Sequence, residues 1–155
     1  MDNNELLRMI RDALTIDDAA MIRIFKESGR DVGQSTIDAL LKMVDEDGFI
    51  PCSDPIMGFF LDGLIIHKRG RQEAAPAPAA QPPAPLTNNA VVKKLRIALD
   101  LKEDDVISIL ATARIQISKN DLGALFRKVG NKHYKECNDQ LLKGFMEGLA
   151  IRNKA

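Results

Sequence analysis

Apolar residues recur along this chain at helical spacing, and they do so twice. Leu6, Ile10 and Leu14 stand at i, i+4 and i+8, and Val91, Leu95 and Leu99 repeat that spacing. A stripe of this kind makes one face of a helix apolar, which predicts helices near residues 4–14 and 89–99. A second pair is predicted near 18–28 and 103–113. Asp100-x-x-Glu103 has the form of a capping box for the later copy, and Thr15-x-x-Asp18 is a looser version. A third pair is expected near 34–43 and 119–128, where Ile37, Leu40 and Leu41 match Leu122, Leu125 and Phe126 as the buried stripe. Ser118 is the expected N-cap of its later member. The fourth helices are expected to begin at Asp54 and Asp139, with Asp54 as an N-cap ahead of Pro55. They bury Ile56, Phe60 and Leu64, or Leu141, Phe145 and Leu149. No segment shows sustained strand alternation.

These paired patterns are one pattern at a constant offset. Residues 3–69 and 88–154 align without a gap, 85 positions apart, and share Asn3/Asn88, Arg11/Arg96, Leu14/Leu99, Cys52/Cys137, Asp54/Asp139 and Gly63/Gly148. Gly63 and Gly148 fall inside the fourth helix, where glycine is worse than alanine by roughly 1 kcal/mol. Their presence in both copies predicts a close helix crossing. The chain therefore reads as all-α, two homologous domains of about four helices in tandem. Domains this small bury only roughly 60% of their unfolded surface, so mutual packing or oligomerisation is expected to support them. The first domain spans 1–73 and the second 88–155. Residues 74–87, AAPAPAAQPPAPLT, contain five prolines, six alanines and no charge. Proline fixes φ and removes a donor, so this stretch is expected to be a polyproline-II spacer.

Charge separates the copies. The whole chain is formally neutral, yet residues 1–73 carry 9 Lys/Arg and 14 Asp/Glu, net −5. Residues 88–155 carry 13 and 8, net +5. Either the halves attract each other or the basic half meets an anionic partner. With one cysteine per copy, neither domain can be stapled internally. The N-terminal stretch MDNNELLRMIRDAL lacks a continuous apolar core, and the apolar runs are too short to span a membrane. The expectation is a cytoplasmic protein with no membrane partner.

In each copy the second and third helices, joined by a short turn, have the layout of a helix-turn-helix, a geometry that is also common in all-α domains whose third helix is simply a solvated face. The later third helix is expected to expose Lys119, Asn120, Gly123 and Arg127 together. Lys and Arg suit phosphate, and Asn or Arg reads base edges. The equivalent face of the first copy, Gln34, Ser35, Asp38 and Lys42, has a carboxylate at its centre that repels phosphate. Candidate nucleic-acid contacts are therefore Lys93, Lys94, Arg96, Lys119, Asn120, Arg127, Lys128, Lys132 and Lys135. His133 adds to this basic set. Tyr134 offers a ring for stacking, although Phe49 at the same register favours a core plug.

Other constellations point to structure. His133-x-x-x-Cys137 supplies too few ligands for a structural zinc, and Gly48 replaces the histidine in the first copy. The cysteines are expected to pack as small apolar residues ahead of the fourth helix. An Arg11–Asp54 contact, and its counterpart Arg96–Asp139, is expected to join the first and fourth helices. No phosphate loop, nucleophile elbow or distinctive carboxylate pair occurs, so no enzyme, cofactor or metal is expected.

The segments NNAVVKKLRIALDLKEDDV and ISKNDLGALFRKVGNKHYKECNDQLLKGFMEGL, with looser counterparts NNELLRMIRDALTIDDAAM and CSDPIMGFFLDGL, resemble a YehS-like bacterial family of unknown function. The resemblance covers nearly the whole chain outside the linker. It implies a cytoplasmic bacterial protein made of a tandem duplicated helical domain, and it supplies no activity or catalytic residue. The leading expectation is a binding or adaptor protein whose second repeat engages DNA or RNA and whose first repeat binds protein or self-associates. The alternative is an oligomerisation module in which acidic and basic repeats pair.

Overall fold

A computed structural model describes residues 2–70, 86–127 and 130–154. They form helices α1 (Asn3–Leu14), α2 (Asp18–Glu27), α3 (Gln34–Leu41), α4 (Asp54–Arg69), α5 (Asn88–Ala98), α6 (Glu103–Thr112), α7 (Lys119–Leu125) and α8 (Asp139–Lys154). No strand occurs among the described residues. The chain divides into two units, Met1–Leu86 and Thr87–Ala155. The expected spacer falls mostly outside the described residues. Its last two residues are tied down. Leu86 N–H donates to the Asp54 carboxylate at 3.1 Å, and the Thr87 hydroxyl caps α5 by accepting from Ala90 N–H at 3.1 Å.

Most of the predicted stripe residues form the core: Leu6, Ile10, Ile37, Leu40, Phe60 and Leu64 are buried in the first unit, and Val91, Leu95, Leu122, Leu125, Phe145 and Leu149 in the second. The second helices add Met21, Ile24 and Phe25, or Val106, Ile109 and Leu110, for which no stripe is predicted. Leu14, Leu41, Leu99 and Phe126, at the ends of their helices, are half-buried rather than core. Ile56 and Leu141 are half-buried too, because Met57 and Leu142 take the inward places one residue later.

The caps differ from the expected ones by one or two residues. Thr15 and Asp100 are the left-handed residues that stop α1 and α5, at φ 52° and 53°. Behind them the N–H groups of Ile16 and Leu101 reach back to the carbonyls of Arg11 and Arg96, at 3.0 and 2.9 Å. A residue that closes one helix cannot also open the next. The caps therefore move on to Asp17, which accepts from Ala20 N–H at 2.8 Å, and to Lys102, whose own N–H donates to the Asp105 carboxylate at 2.8 Å. Likewise Ser53, not Asp54, caps α4 by accepting from Ile56 N–H at 3.3 Å. In the second unit Asn138 accepts from Leu141 N–H at 2.8 Å. Asp54 and Asp139 are thereby the first helical residues, with carboxylates available to other partners. Ser118 caps α7 as expected, accepting from Asp121 N–H at 3.1 Å.

Gly63 and Gly148 explain themselves. A Cβ on Gly63 would land on the Ile24 carbonyl, and one on Gly148 on the Ile109 carbonyl. Thus α2 and α4, and α6 and α8, touch backbone to backbone. A third glycine belongs to one unit alone. Gly144 leaves room for the Ile115 side chain, at the place where the first unit sets the Arg30 guanidinium 5.2 Å over the Phe59 ring. Two unlike side-chain pairs fill the same gap.

Candidate functional site

The surface that differs between the copies is mounted on a polar frame that does not. Asn4 and Asn89, buried in the first turn of α1 and α5, each make three hydrogen bonds. Asn4 Nδ2 donates to the carbonyls of Leu40 and Ile50, both at 2.9 Å, and its Oδ1 accepts from Cys52 N–H at 2.8 Å. Asn89 Nδ2 donates to the carbonyls of Leu125 and Lys135, at 2.9 and 2.8 Å, and its Oδ1 accepts from Cys137 N–H at 2.8 Å. One amide thus holds the end of the third helix, the following loop and the approach to the fourth helix. A buried amide with all three bonds made is stabilising, whereas its loss strands buried backbone groups.

The preceding asparagines complete the frame. Asn3 Nδ2 donates to the Cys52 carbonyl and to Asp54 Oδ1, at 3.1 and 2.8 Å. Asn88 does the same with Cys137 and Asp139, at 3.0 and 2.8 Å. Asparagine, not arginine, therefore joins the first and fourth helices. Arg11 and Arg96 close the turn after their own helix instead, their Nε–H groups donating to the carbonyls of Ile16 and Leu101 at 3.0 Å each. The guanidinium ends then diverge. Arg11 pairs with Asp18 at 2.8 Å, while Arg96 lies 4.8 Å over the Phe126 ring.

On this frame stand the loops that join the third and fourth helices, residues 42–53 and 127–138. The first contains one Lys and three Asp/Glu, and the second four Lys/Arg and one Glu. Half of the charge difference between the repeats therefore falls in one twelve-residue stretch. Arg127, Lys132 and Lys135 are exposed, and Lys93 is exposed on α5, one turn beyond Asn89. In the first unit the residue at the place of Lys93, Arg8, reaches the carbonyl of Lys42 at 3.1 Å. Lys42 is the counterpart of Arg127, so the scaffold sets positions 93 and 127 side by side. The exposed basic residues of α5 and this loop, among the described residues, are Lys93, Arg127, Lys132 and Lys135, with His133, and the Asn89–Lys135 bond ties the loop to α5. Lys128 lies outside the described residues. Tyr134 and Phe49 are half-buried, neither fully core nor free.

The helix face read from the sequence contributes less. Lys119 and Asn120 are exposed, but α7 is seven residues long and Lys119 sits 3.5 Å from Asp104. Asp104 belongs to the acidic first turn of α6 with Glu103 and Asp105. Arg96 is engaged with Leu101 and Phe126, and Lys94 is half-buried. In the first unit the matching face is spent on a network, where Gln34 Nε2 donates to Asp18 and Asp38 at 2.8 and 2.9 Å. The basic surface is thus a rim made by α5, the end of α7 and the following loop. The loop half of it is held against α5 by the bond from Asn89 to the Lys135 carbonyl, which joins positions 46 residues apart.

The cysteines are buried behind this loop. Burial, reinforced by the Asp54 and Asp2 carboxylates, pushes the Cys52 thiol from 9.0 up to about 12. Burial and Asp139 push Cys137 up to about 11. Both are therefore neutral, weakly reactive thiols at physiological pH. His133 is exposed whereas Cys137 is buried. Among the described residues no helix is long and apolar enough to cross a membrane.

Comparison with known proteins agrees with the duplication. The family model DUF1456, a protein of unknown function, matches residues 3–70 and again 88–154. The uncharacterized protein YehS of Escherichia coli (strain K12) is 38% identical over 152 residues, covering 98% of this chain and 96% of that protein. No solved structure gives a significant match.

Proposed function

The chain belongs to the DUF1456 family, and from that premise we propose that it is a non-enzymatic binding protein of the cytoplasm whose second repeat engages nucleic acid. One observation carries this reading: a common scaffold holds two equivalent loops, and one of them has been turned basic. Lys93, Arg127, Lys132 and Lys135 are exposed around it, while the other loop is acidic. Lysine and arginine at a rim contact phosphate oxygens and release counterions, which gives affinity with little sequence preference. Tyr134, half-buried among them, supplies a ring edge for an unpaired base. The contact surface is the rim, with Lys119 and Asn120 of α7 at its margin.

Binding of the full chain to duplex DNA, single-stranded DNA and RNA over a salt series tests this. Affinity should fall linearly with the logarithm of salt, and each phosphate-contacting lysine removed should lower the slope by about 1. Lys132→Glu with Lys135→Glu should remove binding, and Lys119→Ala should change it little. Absence of salt-dependent binding to all three polymers overturns the reading.

A further inference from the structure

The acidic counterpart of that rim has its own anomaly. Met43 is 50% exposed, Val44 77% and Ile50 41%, all within the α3–α4 loop. Among the described residues only Ile97 and Ile151 are large apolar side chains of comparable exposure. The loop is not frayed. Glu46 N–H donates to the Met43 carbonyl at 3.0 Å, Ile50 N–H to that of Ala39 at 3.2 Å, and Lys42 Nζ to that of Asp47 at 2.7 Å. Its apolar side chains are therefore held in water by a formed backbone, interleaved with exposed Asp45, Glu46 and Asp47. Exposed apolar side chains beside three exposed carboxylates mark an interaction surface.

The charge says which partner fits. An acidic loop repels nucleic acid and repels its own kind, and it attracts a basic surface with apolar stems. Every chain carries such a surface at the equivalent place on its second repeat. We propose that the 43–50 loop docks on the basic α7–α8 loop of a second copy of this chain. Asp45, Glu46 and Asp47 face Arg127, Lys132 and Lys135, whose alkyl stems cover Met43, Val44 and Ile50. Each chain has one loop of either kind, so two copies satisfy both.

Sedimentation of the full chain without nucleic acid tests this independently of the nucleic-acid reading. The chain associates at about 0.05 M salt, and its dissociation constant rises about tenfold or more at about 0.5 M salt. Asp45→Lys with Asp47→Lys yields a monomer, and so does Lys132→Glu with Lys135→Glu; all four positions are exposed, and circular dichroism should show helix content unchanged. Mixing the two variants restores a complex, since one then carries two basic loops and the other two acidic ones. Val44→Ser, which removes apolar contact without changing charge, weakens association of the otherwise unchanged chain. A wild-type chain that stays monomeric to about 0.1 mM at low salt overturns the proposal. So does association that survives both reversals, or a mixture that fails to pair. Nucleic-acid binding with no self-association leaves the preceding reading standing and removes this one.

Discussion

The α3–α4 and α7–α8 loops hang from the same asparagine clamp and carry opposite charge. Asn4 bonds to Leu40, Ile50 and Cys52, and Asn89 to Leu125, Lys135 and Cys137. Between those anchor points the two sequences share little, VDEDGFI against VGNKHYK. The clamp holds backbone atoms, so it constrains where the chain runs and leaves the outward side chains free. What is duplicated is therefore the scaffold, and what has diverged is the surface that the scaffold presents. Arg11 and Arg96 show the same division inside one side chain. Their Nε–H groups make the same turn-closing bond, and their outer ends find a carboxylate in one copy and a ring in the other.

Substitutions in the shared frame should act equally in both repeats. Gly63→Ala gains about 1 kcal/mol of helix propensity but drives a methyl into the Ile24 carbonyl. Forcing two helices apart in this way should leave a net loss of about 3 kcal/mol, matched by Gly148→Ala and read by denaturant unfolding. An effect confined to one repeat breaks the equivalence. Asn4→Ala and Asn89→Ala each strand two carbonyls and an N–H, for a loss of about 2 kcal/mol.

A smaller test separates the copies. Gly144→Phe overfills the space held by Ile115 and should cost about 2 kcal/mol. Adding Ile115→Arg recreates the Arg30–Phe59 pair of the first repeat and should recover most of that loss in a double-mutant cycle. Simple additivity of the two changes sinks the idea that these are alternative fillings of one gap. Arg11→Lys and Arg96→Lys should each lose about 1 kcal/mol. Salt should shrink the first loss, because its partner is a half-exposed carboxylate, and leave the second, whose partner is a ring.

The thiols give an effect that is nil at neutral pH. Both are raised in the folded protein, to about 12 for Cys52 and about 11 for Cys137, from 9.0. Below pH 9 folded and unfolded chains hold these protons alike. Above it the unfolded chain releases them first, so their contribution to stability falls as pH rises from 9 through the folded values. Unfolding midpoints measured across that window should decline more steeply in the wild type than in Cys52→Ala or Cys137→Ala. Equal slopes place the ionisation elsewhere.

The helices, their duplication and the close crossing at Gly63 and Gly148 were legible in the residues alone. Apolar spacing and glycine are local signals, and an internal copy at constant register confirms each of them. The expected Arg–Asp contact does not form: Asn3 and Asn88 meet Asp54 and Asp139, and Arg11 and Arg96 close the turns after their own helices. The pair Asn3-Asn4, repeated as Asn88-Asn89 at the edge of an apolar stripe, held the signal that was missed. A polar residue at a buried register in both copies must be satisfied, and its partners lie 36, 46 and 48 positions away. Periodicity along the sequence determines which face of each helix is buried and how many helices there are. Which carbonyl an amide meets, and that the loop carrying Arg127, Lys132 and Lys135 is tied to the helix carrying Lys93, depends on how separate helices close on one another. Only the tertiary structure decides that, because hydrogen bonds and charges act over a few ångströms in space whatever their separation along the chain.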